Sequence, residues 1–483
     1  MAVTTGGEEA LNASLGTAGL CLVDETGSEE NLTALDSFDW RFFNKGLLVL
    51  DLGESLAIYS FEEDETRGTV QSGEGGDAPL PARFAAVAGV RRLLDVSSWY
   101  IRRECCQVLD DQRKLVGRGD LYRSRQEPSF FGIRIEPLRG YKRECEALAR
   151  RVAASGGIRG ARSFYGALLS YGGRRAGEYG QVVTLSLAPE LSLPAAYRKL
   201  FSYFLSILEE NRPGILGDLD TEFLHDYRVA LRRLRAVTSQ MKKEMPIGLN
   251  SFLSGELKSL FSATSRGRDL DVLALRSAAY VALLPERLRP GLYTFFQRVE
   301  EEREAAYDKI RHLLSSPSNP ERMERLKSAL DARDSEAWGG SEVLREAVSR
   351  WVLKRNGRIL RIMEKGGFEK APGDLHALRI ECKKLRYLLE IFSSLYSKRE
   401  LGPVLKNLKR FQDALGASQD LAVQTEFLSA MLREWGSGNH AVAAAIGGLL
   451  TELNRRGVGQ EEAVAGEVDR VRRSLGNLQR SVV

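Results

Sequence analysis

The spacing of apolar positions along this chain changes once. Up to about residue 183 the apolar residues come in short runs and alternations. Leu47-Leu48-Val49-Leu50 and Leu56-Ala57-Ile58-Tyr59-Ser60-Phe61 lie on either side of Gly53, the pattern of a hairpin. Residues 99–109 and 115–122 flank a polar turn at Asp110-Asp111-Gln112-Arg113, and residues 130–136 alternate as a strand does. Residues 141–153 read as a helix that closes near Gly156-Gly157. Residues 62–81 are acidic and Gly-rich and read as a loop. Residues 1–35 show no clear period beyond a short strand at 20–23 and are expected to be poorly defined.

After Ser192 the period becomes helical and stays so, with Gly and Pro only as punctuation. Helices are expected to begin near Pro194, Glu222, Asn250, Asp269, Glu286, Ser341, Asp374, Leu401, Gln419, His440 and Glu461. The expected architecture is an α+β multidomain chain. A β-rich α+β domain spans 36–185, and an all-α domain spans 192–483 with repeats at about 192–335 and 341–483.

Composition narrows the class. The chain has 483 residues, 43% hydrophobic and 28% charged, which suits folded cores and excludes disorder throughout. No run of about 18 apolar residues occurs, so no membrane span is expected. The N-terminus has no basic region leading into an apolar core, and Cys21 lacks a lipoprotein cleavage context. The five cysteines are odd in number with no C-x-x-C spacing, so reduced thiols in a cytoplasm are expected. The formal charge of +5 hides a division: residues 1–100 hold 6 Lys/Arg against 17 Asp/Glu, and the excess of base lies beyond them. A polyanion would therefore meet the C-terminal part; the plainer reading is that solvated helices differ in charge.

An internal repeat favours the first reading. His225-Asp226-Tyr227-Arg228-Val229-Ala230-Leu231-Arg232-Arg233-Leu234-Arg235 recurs 151 residues later as His376-Ala377-Leu378-Arg379-Ile380-Glu381-Cys382-Lys383-Lys384-Leu385-Arg386. The register holds further on, since Asp269-Leu270 and Asp420-Leu421 each lie 44 residues after their His. At about 100° per residue, His225, Arg228, Arg232 and Arg235 share an arc of roughly 80°. Arg233 lies on the same half, while Tyr227, Ala230, Leu231 and Leu234 form the opposite stripe. His376, Arg379, Lys383, Lys384 and Arg386 repeat the arrangement. A lone basic face is more often solvated surface, but here the same face occurs twice, each time led by one of only four His. Asp269 and Asp420 are expected to be helix N-caps or internal partners of the arginines.

These residues resemble the CHAD family, the conserved-histidine α-helical domain. The resemblance runs from about 195 to 480 and rests on both motifs, on Arg268-Asp269-Leu270-Asp271-Val272, on Tyr387, and on Leu408 to Leu421 with Gln412-Asp413-x-Leu415-Gly416. It implies two pseudo-symmetric four-helix bundles, a central basic surface that binds inorganic polyphosphate, and association with polyphosphate granules. The implied binding residues are the ten motif positions His225, Arg228, Arg232, Arg233, Arg235, His376, Arg379, Lys383, Lys384 and Arg386. Arg266 and Arg268 from the first copy and Lys406, Lys409 and Arg410 from the second join them as candidates.

The N-terminal part resembles the CYTH, or triphosphate-tunnel, fold through Ser37-Phe38-Asp39-Trp40-Arg41, Lys45-Gly46-Leu47, Ile135-Glu136-Pro137 and Gly140-Tyr141. It departs from that family in three ways. The E-x-E-x-K strand is missing, Val49-Leu50-Asp51-Leu52 stands where tunnel arginines belong, and Arg134 beside Glu136 replaces paired acids. A degenerate, structural domain is therefore expected. The alternative is a metal-dependent triphosphate or polyphosphate hydrolase working through Glu136.

No P-loop, H-E-x-x-H, zinc-ligand spacing or G-x-S-x-G elbow occurs. No catalytic residue, metal site or cofactor is assigned. Arg91, Arg92, Arg102, Arg103, Arg118, Arg123 and Arg125 read as charges decorating strands, and His312 and His440 as ordinary surface or packing residues. The basic helical faces lack the interleaved aromatics that stack bases, so nucleic acid is the disfavoured polyanion. The expectation is a non-enzymatic polyphosphate binder, with no protein partner named by the sequence.

Overall fold

The computed structural model describes residues 2–4, 21–53, 55–61, 66–71, 80–110, 112–124, 131–154, 157–159, 161–179, 185–331, 338, 342–364, 372–457, 467, 470–476 and 478. The chain divides into two compact units, Met1–Val182 and Val183–Val483.

The first unit is built on an antiparallel sheet of nine strands in the order β5-β4-β3-β2-β6-β7-β8-β1-β9. These are β1 Ala2–Thr4, β2 Cys21–Asp36, β3 Leu47–Asp51, β4 Ser55–Ser60, β5 Thr66–Gln71, β6 Leu94–Leu109, β7 Leu115–Ser124, β8 Phe131–Pro137 and β9 Gly157–Arg159. Together they make a β half-barrel compatible with the triphosphate-tunnel fold. The continuous apolar run Leu48-Val49-Leu50 is buried on both faces, whereas β6 alternates buried and exposed positions along its middle. Helices α1 Arg41–Asn44, α2 Ala82–Ala88, α3 Lys142–Ala154 and α4 Ala161–Tyr171 complete the unit.

Two expectations are corrected here. Residues 1–35 supply β1 and nearly all of β2. The 62–81 stretch, of which 62–65 and 72–79 lie outside the described residues, contains β5. Apolar periodicity missed β2 because part of its pairing is polar. Glu29 stands opposite Arg102, and Ser28 opposite Arg103, on β6; polar and charged cross-strand neighbours of this kind support a register without apolar residues.

One turn of the first unit is held by a buried carboxylate. Trp40, wholly buried, adopts φ 59° just before α1, a left-handed conformation that costs a bulky residue energy. Asp36 holds the turn: its carboxylate accepts the backbone N–H groups of Ser37 at 2.7 Å, Phe42 at 3.0 Å and Phe43 at 2.9 Å. Trp40, Phe43, Phe61 and Tyr165 pack ring against ring above it.

The second unit is helical. Its elements are α5 Leu193–Leu216, α6 Thr221–Gln240, α7 Ile247–Ala263, α8 Ser265–Ala274, α9 Ser277–Leu283, α10 Arg289–Ser315, α11 Ser318–Asp331, α12 Leu344–Glu364, α13 Pro372–Ile391, α14 Lys398–Trp435 and α15 His440–Gly457. The starts of α5, α6, α7 and α10, at Leu193, Thr221, Ile247 and Arg289, each recur 151 residues later as the starts of α12, α13, α14 and α15. Equivalent helices also meet. α6 packs on α13, and α10 packs on α15 through Leu292, Phe295, Val442, Ala445, Ile446 and Leu449. Self-equivalent contacts are what a twofold relation generates. The approach at α10 and α15 is tight: a Cβ at Gly291 would lie 2.0 Å from the carbonyl oxygen of Ala441.

The duplication is imperfect where the sequence suggested it was strict. α7 and α8 are separated by one turn residue, Thr264, whose Oγ1 accepts from Arg228 and donates back to the Leu260 carbonyl. In the second copy the same span is the continuous α14, so no helix starts at Gln419. Asp269 is likewise interior to α8 rather than its N-cap. The expected helix start at Glu461 lies outside the described residues. No described helix is long and apolar enough to cross a membrane.

Burial pushes the Asp36 carboxyl up to about 6, against the three N–H bonds that favour its charged form. The folded chain therefore holds this proton more tightly than the unfolded chain. The stability it contributes is full below the ordinary value of 3.8 and is lost as pH rises through about 6. Asp36→Asn should remove up to about 3 kcal/mol of pH dependence between pH 4 and 6 from the first unit. Unfolding curves of wild type and variant across that window check this; parallel curves would show that Asp36 does not titrate there.

Candidate functional site

The duplicated motif lies on α6 and α13, and the stripe drawn from its spacing is the one that packs. Tyr227, Ala230, Leu231 and Leu234 are buried, as are Leu378, Cys382 and Leu385 in the second copy. With these faces fixed inward, the basic residues of the two helices are turned toward one another's surroundings. Between α6 and α13 opens a cleft of about 460 Å³, walled also by α7 and α12. Six of its lining residues are cationic, Arg232, Arg235, Lys258, Arg355, Lys383 and Lys384, and none of the described lining residues is acidic.

The cations are positioned by packing. The guanidinium of Arg235 stands over the Phe261 ring at 4.8 Å, and the Lys383 ammonium lies 5.9 Å from the Tyr387 ring. Arg355 donates to Glu381 at 2.9 and 3.2 Å and to Gln240 Oε1 at 3.1 Å, while Lys384 reaches Glu381 at 3.0 Å. Glu381 thus holds two of the six from outside the cleft. Burial alone would raise its carboxyl, yet Arg355 and Lys384 hold it below its ordinary value.

The site is electrostatically unsatisfied. Burial pushes the Lys383 ammonium down, and the charges of Arg232, Arg379 and Arg386 push it further. The buried Nε–H of Arg232 has no hydrogen-bond partner among the described residues, and a buried donor left unpaired is costly. Both observations favour an anion: it would accept the orphan donor and oppose the downward push on the Lys383 ammonium. Arginine offers bidentate contact to phosphate-like oxygens, and lysine a point charge.

The remaining expected residues divide by position. Arg233 of α6 and Arg386 of α13 share Glu390, at 3.7 and 3.6 Å. Arg379 is near enough to act on Lys383. Arg228 is committed to the scaffold: its Nη1 donates to the Phe261 carbonyl and Thr264 Oγ1, both at 2.8 Å, and to Ser265 Oγ at 3.2 Å. Burial pulls it down to about 10, and it serves the C-terminus of α7, where cations are favoured. Arg266 pairs with Glu302 at 3.5 Å and stands over Phe427. Arg268 donates to the Thr221 carbonyl at 3.1 Å and lies 3.9 Å from Glu222. Lys406, Lys409 and Arg410 are exposed on α14 and do not line the cleft. His225 is half-buried and already engaged. The backbone of His376 lies in α13, but its side chain lies outside the described residues. Asp269 is exposed on α8 within the field of Arg228, Arg266 and Arg268, and Asp271 is wholly buried against Arg303 and Tyr307 at 2.8 and 2.9 Å.

Two cleft residues escaped the sequence reading. Lys258 is the equivalent of Lys409 at the 151-residue offset, so applying the repeat in both directions would have found it. Arg355 has Phe204 as its equivalent, and the repeat gives no signal for it.

The charged face of the first unit is arranged in the opposite way. Asp120 takes Arg103 at 3.0 Å and Arg134 at 3.3 Å, Glu30 lies 3.7 Å from Arg103, and Glu136 pairs with Arg134. Glu104 takes Arg102 at 2.7 Å and Arg123 at 2.9 Å. Each arginine of these sets meets an acid, which is closer to mutual neutralisation than to the decoration expected. Arg125 lies outside the described residues. Among the described residues no three His, Cys, Asp or Glu side chains form a metal-holding group.

Comparison with known proteins bears on the helical unit. Residues 199–429 match the family model of the CHAD domain. The crystal structure of the CHAD domain from the plant Ricinus communis is similar at 22% identity and a TM-score of 0.50, over 60% of this chain and 95% of that one, and the likeness shows the fold. PptA from Streptomyces chartreusis is 13% identical over 59% of this chain and 98% of its own; its TM-score of 0.41 is too low to carry an argument. No curated protein matches the chain.

Crowded cations repel one another and cost stability. Lys383→Met, which keeps length and removes charge, should stabilise the helical unit by about 1 kcal/mol, a rise of about 2–4 °C for a unit of this size. The gain should shrink as salt screens the repulsion. Thermal melts at low and high salt check this; a fall in melting temperature would show that the Lys383 charge is compensated.

Proposed function

With residues 199–429 forming a CHAD domain, a kind of domain associated with polyphosphate binding, we propose that this chain binds inorganic polyphosphate in the cleft between α6 and α13, without catalysing its turnover. One observation carries the reading: six cations line the cleft with no acid among its described lining residues. Polyphosphate bears about one negative charge per phosphate and offers no base to stack and no groove to fill. A receptor for it needs a crowd of lysines and arginines, and release of counterions supplies much of the affinity, as at nucleic-acid backbones. Arg232, Arg235, Lys258, Lys383 and Lys384 are the primary contacts, with Arg355 held at the rim by Glu381. Arg379 and Arg386 add to the field. Arg228 positions α7 rather than touching the ligand. On this reading the chain would sit in the cytoplasm, where polyphosphate granules would offer it a ligand.

The alternative, metal-dependent hydrolysis by the N-terminal sheet, draws no specific support, because Asp120 and Glu136 are paired with Arg134.

A binding isotherm for long-chain polyphosphate, with excess heparin and single-stranded DNA as competitors, tests the proposal. Binding should survive both competitors. In the combined variant Arg232→Gln, Arg235→Gln, Lys383→Gln and Lys384→Gln it should weaken severely, and the residual binding at low salt should show a log–log salt slope smaller by roughly four, about one per contact. The variant omits Arg228, whose loss would loosen α7 and confuse binding with folding. Unchanged affinity in the folded variant would overturn the reading, and equal collapse with either competitor would reduce the cleft to a generic cationic surface.

A further inference from the structure

The cleft does not end at its own walls. α12 carries Arg355, Arg358 and Arg361 at three-residue spacing, and one turn of helix rises about 5.4 Å, so the three cations form a row about 9 Å long. The first of them lines the cleft. The other two line a neighbouring groove of about 510 Å³ between α12 and α13, together with Ile362, Ala377, Ile380 and Glu381. The two hollows share one wall, since Ile380 lines both. They also share a hinge of charge: Glu381 lines the groove while its carboxylate is committed to Arg355 and Lys384 of the cleft.

Glu381 is the one described acid of the groove, and its charge is already answered from the cleft side. Arg358 and Arg361 therefore keep a net positive character. Both are exposed, and Arg361 is steadied by donation from its Nε to the Gly357 carbonyl at 3.1 Å. Ile380 and Ile362 supply the low-dielectric wall that strengthens charge contacts beside it.

We propose that this groove is a second anion subsite continuous with the cleft, so that a linear polyanion too long for the cleft passes over Ile380 and is held by Arg358 and Arg361. The inference rests on the polyphosphate reading of the cleft and deepens it by adding a subsite that a long chain reaches and a short one does not. A short chain fills the cleft alone, and a long one gains two further contacts.

Titration of the full chain with tripolyphosphate and with long-chain polyphosphate, each over a range of salt, separates the two readings. In wild type the long chain should show the steeper salt dependence. The double variant Arg358→Gln, Arg361→Gln alters two exposed side chains and should melt as wild type does. Its salt slope for the long chain should fall by roughly two, about one per lost contact, with tripolyphosphate binding unchanged. A long-chain slope that the double variant keeps in full would overturn the subsite, since the advantage of length would then be statistical. Equal weakening toward both ligands would also overturn it, by assigning both arginines to the cleft's general field. Failure of wild type to bind either ligand would overturn the cleft and the subsite together, whereas failure of the subsite alone leaves tripolyphosphate binding intact.

Discussion

Like charges do not gather unless something else holds them. In the helical unit that something is apolar packing: Tyr227, Ala230, Leu231 and Leu234 on α6, and Leu378, Cys382 and Leu385 on α13, are buried. Each helix must present its other side to what remains. Because the two helices are copies of one pattern and pack on each other, their cationic sides are delivered to the same cleft. The burial of apolar area outweighs the repulsion, and the residue of that repulsion appears in the depressed Lys383 ammonium and the orphaned Nε–H of Arg232.

The paired arginines of the first unit show what charge does when acids answer it. Arg103 and Arg134 lie against Asp120, and Arg102 and Arg123 against Glu104. These pairs support strand register and leave little field for a ligand. Both units are rich in arginine, and the difference between them is the placing of acids. Composition cannot reveal that, because the acids that neutralise β6 and β7 come from those strands themselves and from the strand beside β6.

The helical half was legible because a repeat carries its own check. Four helix starts agree at one offset, and the buried stripe matches the period of the motif. Where the copies differ, the same reasoning misled. Thr264 interrupts the first copy and α14 runs on in the second, so a start at Gln419 followed from a symmetry that the hydroxyl of Thr264 and the reach of Arg228 break. Arg355 was invisible for the same reason, since its counterpart is Phe204. The hairpin of β3 and β4 and the helix α3 were readable from local pattern. β2 was not, because polar and charged positions make up much of its length.

The copies also differ at a position that shapes the cleft. Ser239 lines it, and the equivalent of Ser239 is Glu390, which occupies Arg233 and Arg386. Glu381 has the same history, for its equivalent is Ala230. Both acids stand in the second copy alone, where Glu390 answers Arg233 and Arg386 and Glu381 answers Arg355 and Lys384, while the first copy has Ser239 and Ala230 at those positions. On the proposed reading, a chain with one such cationic cleft would coat a long polymer as a sheath one molecule thick and would not tie separate strands into a network.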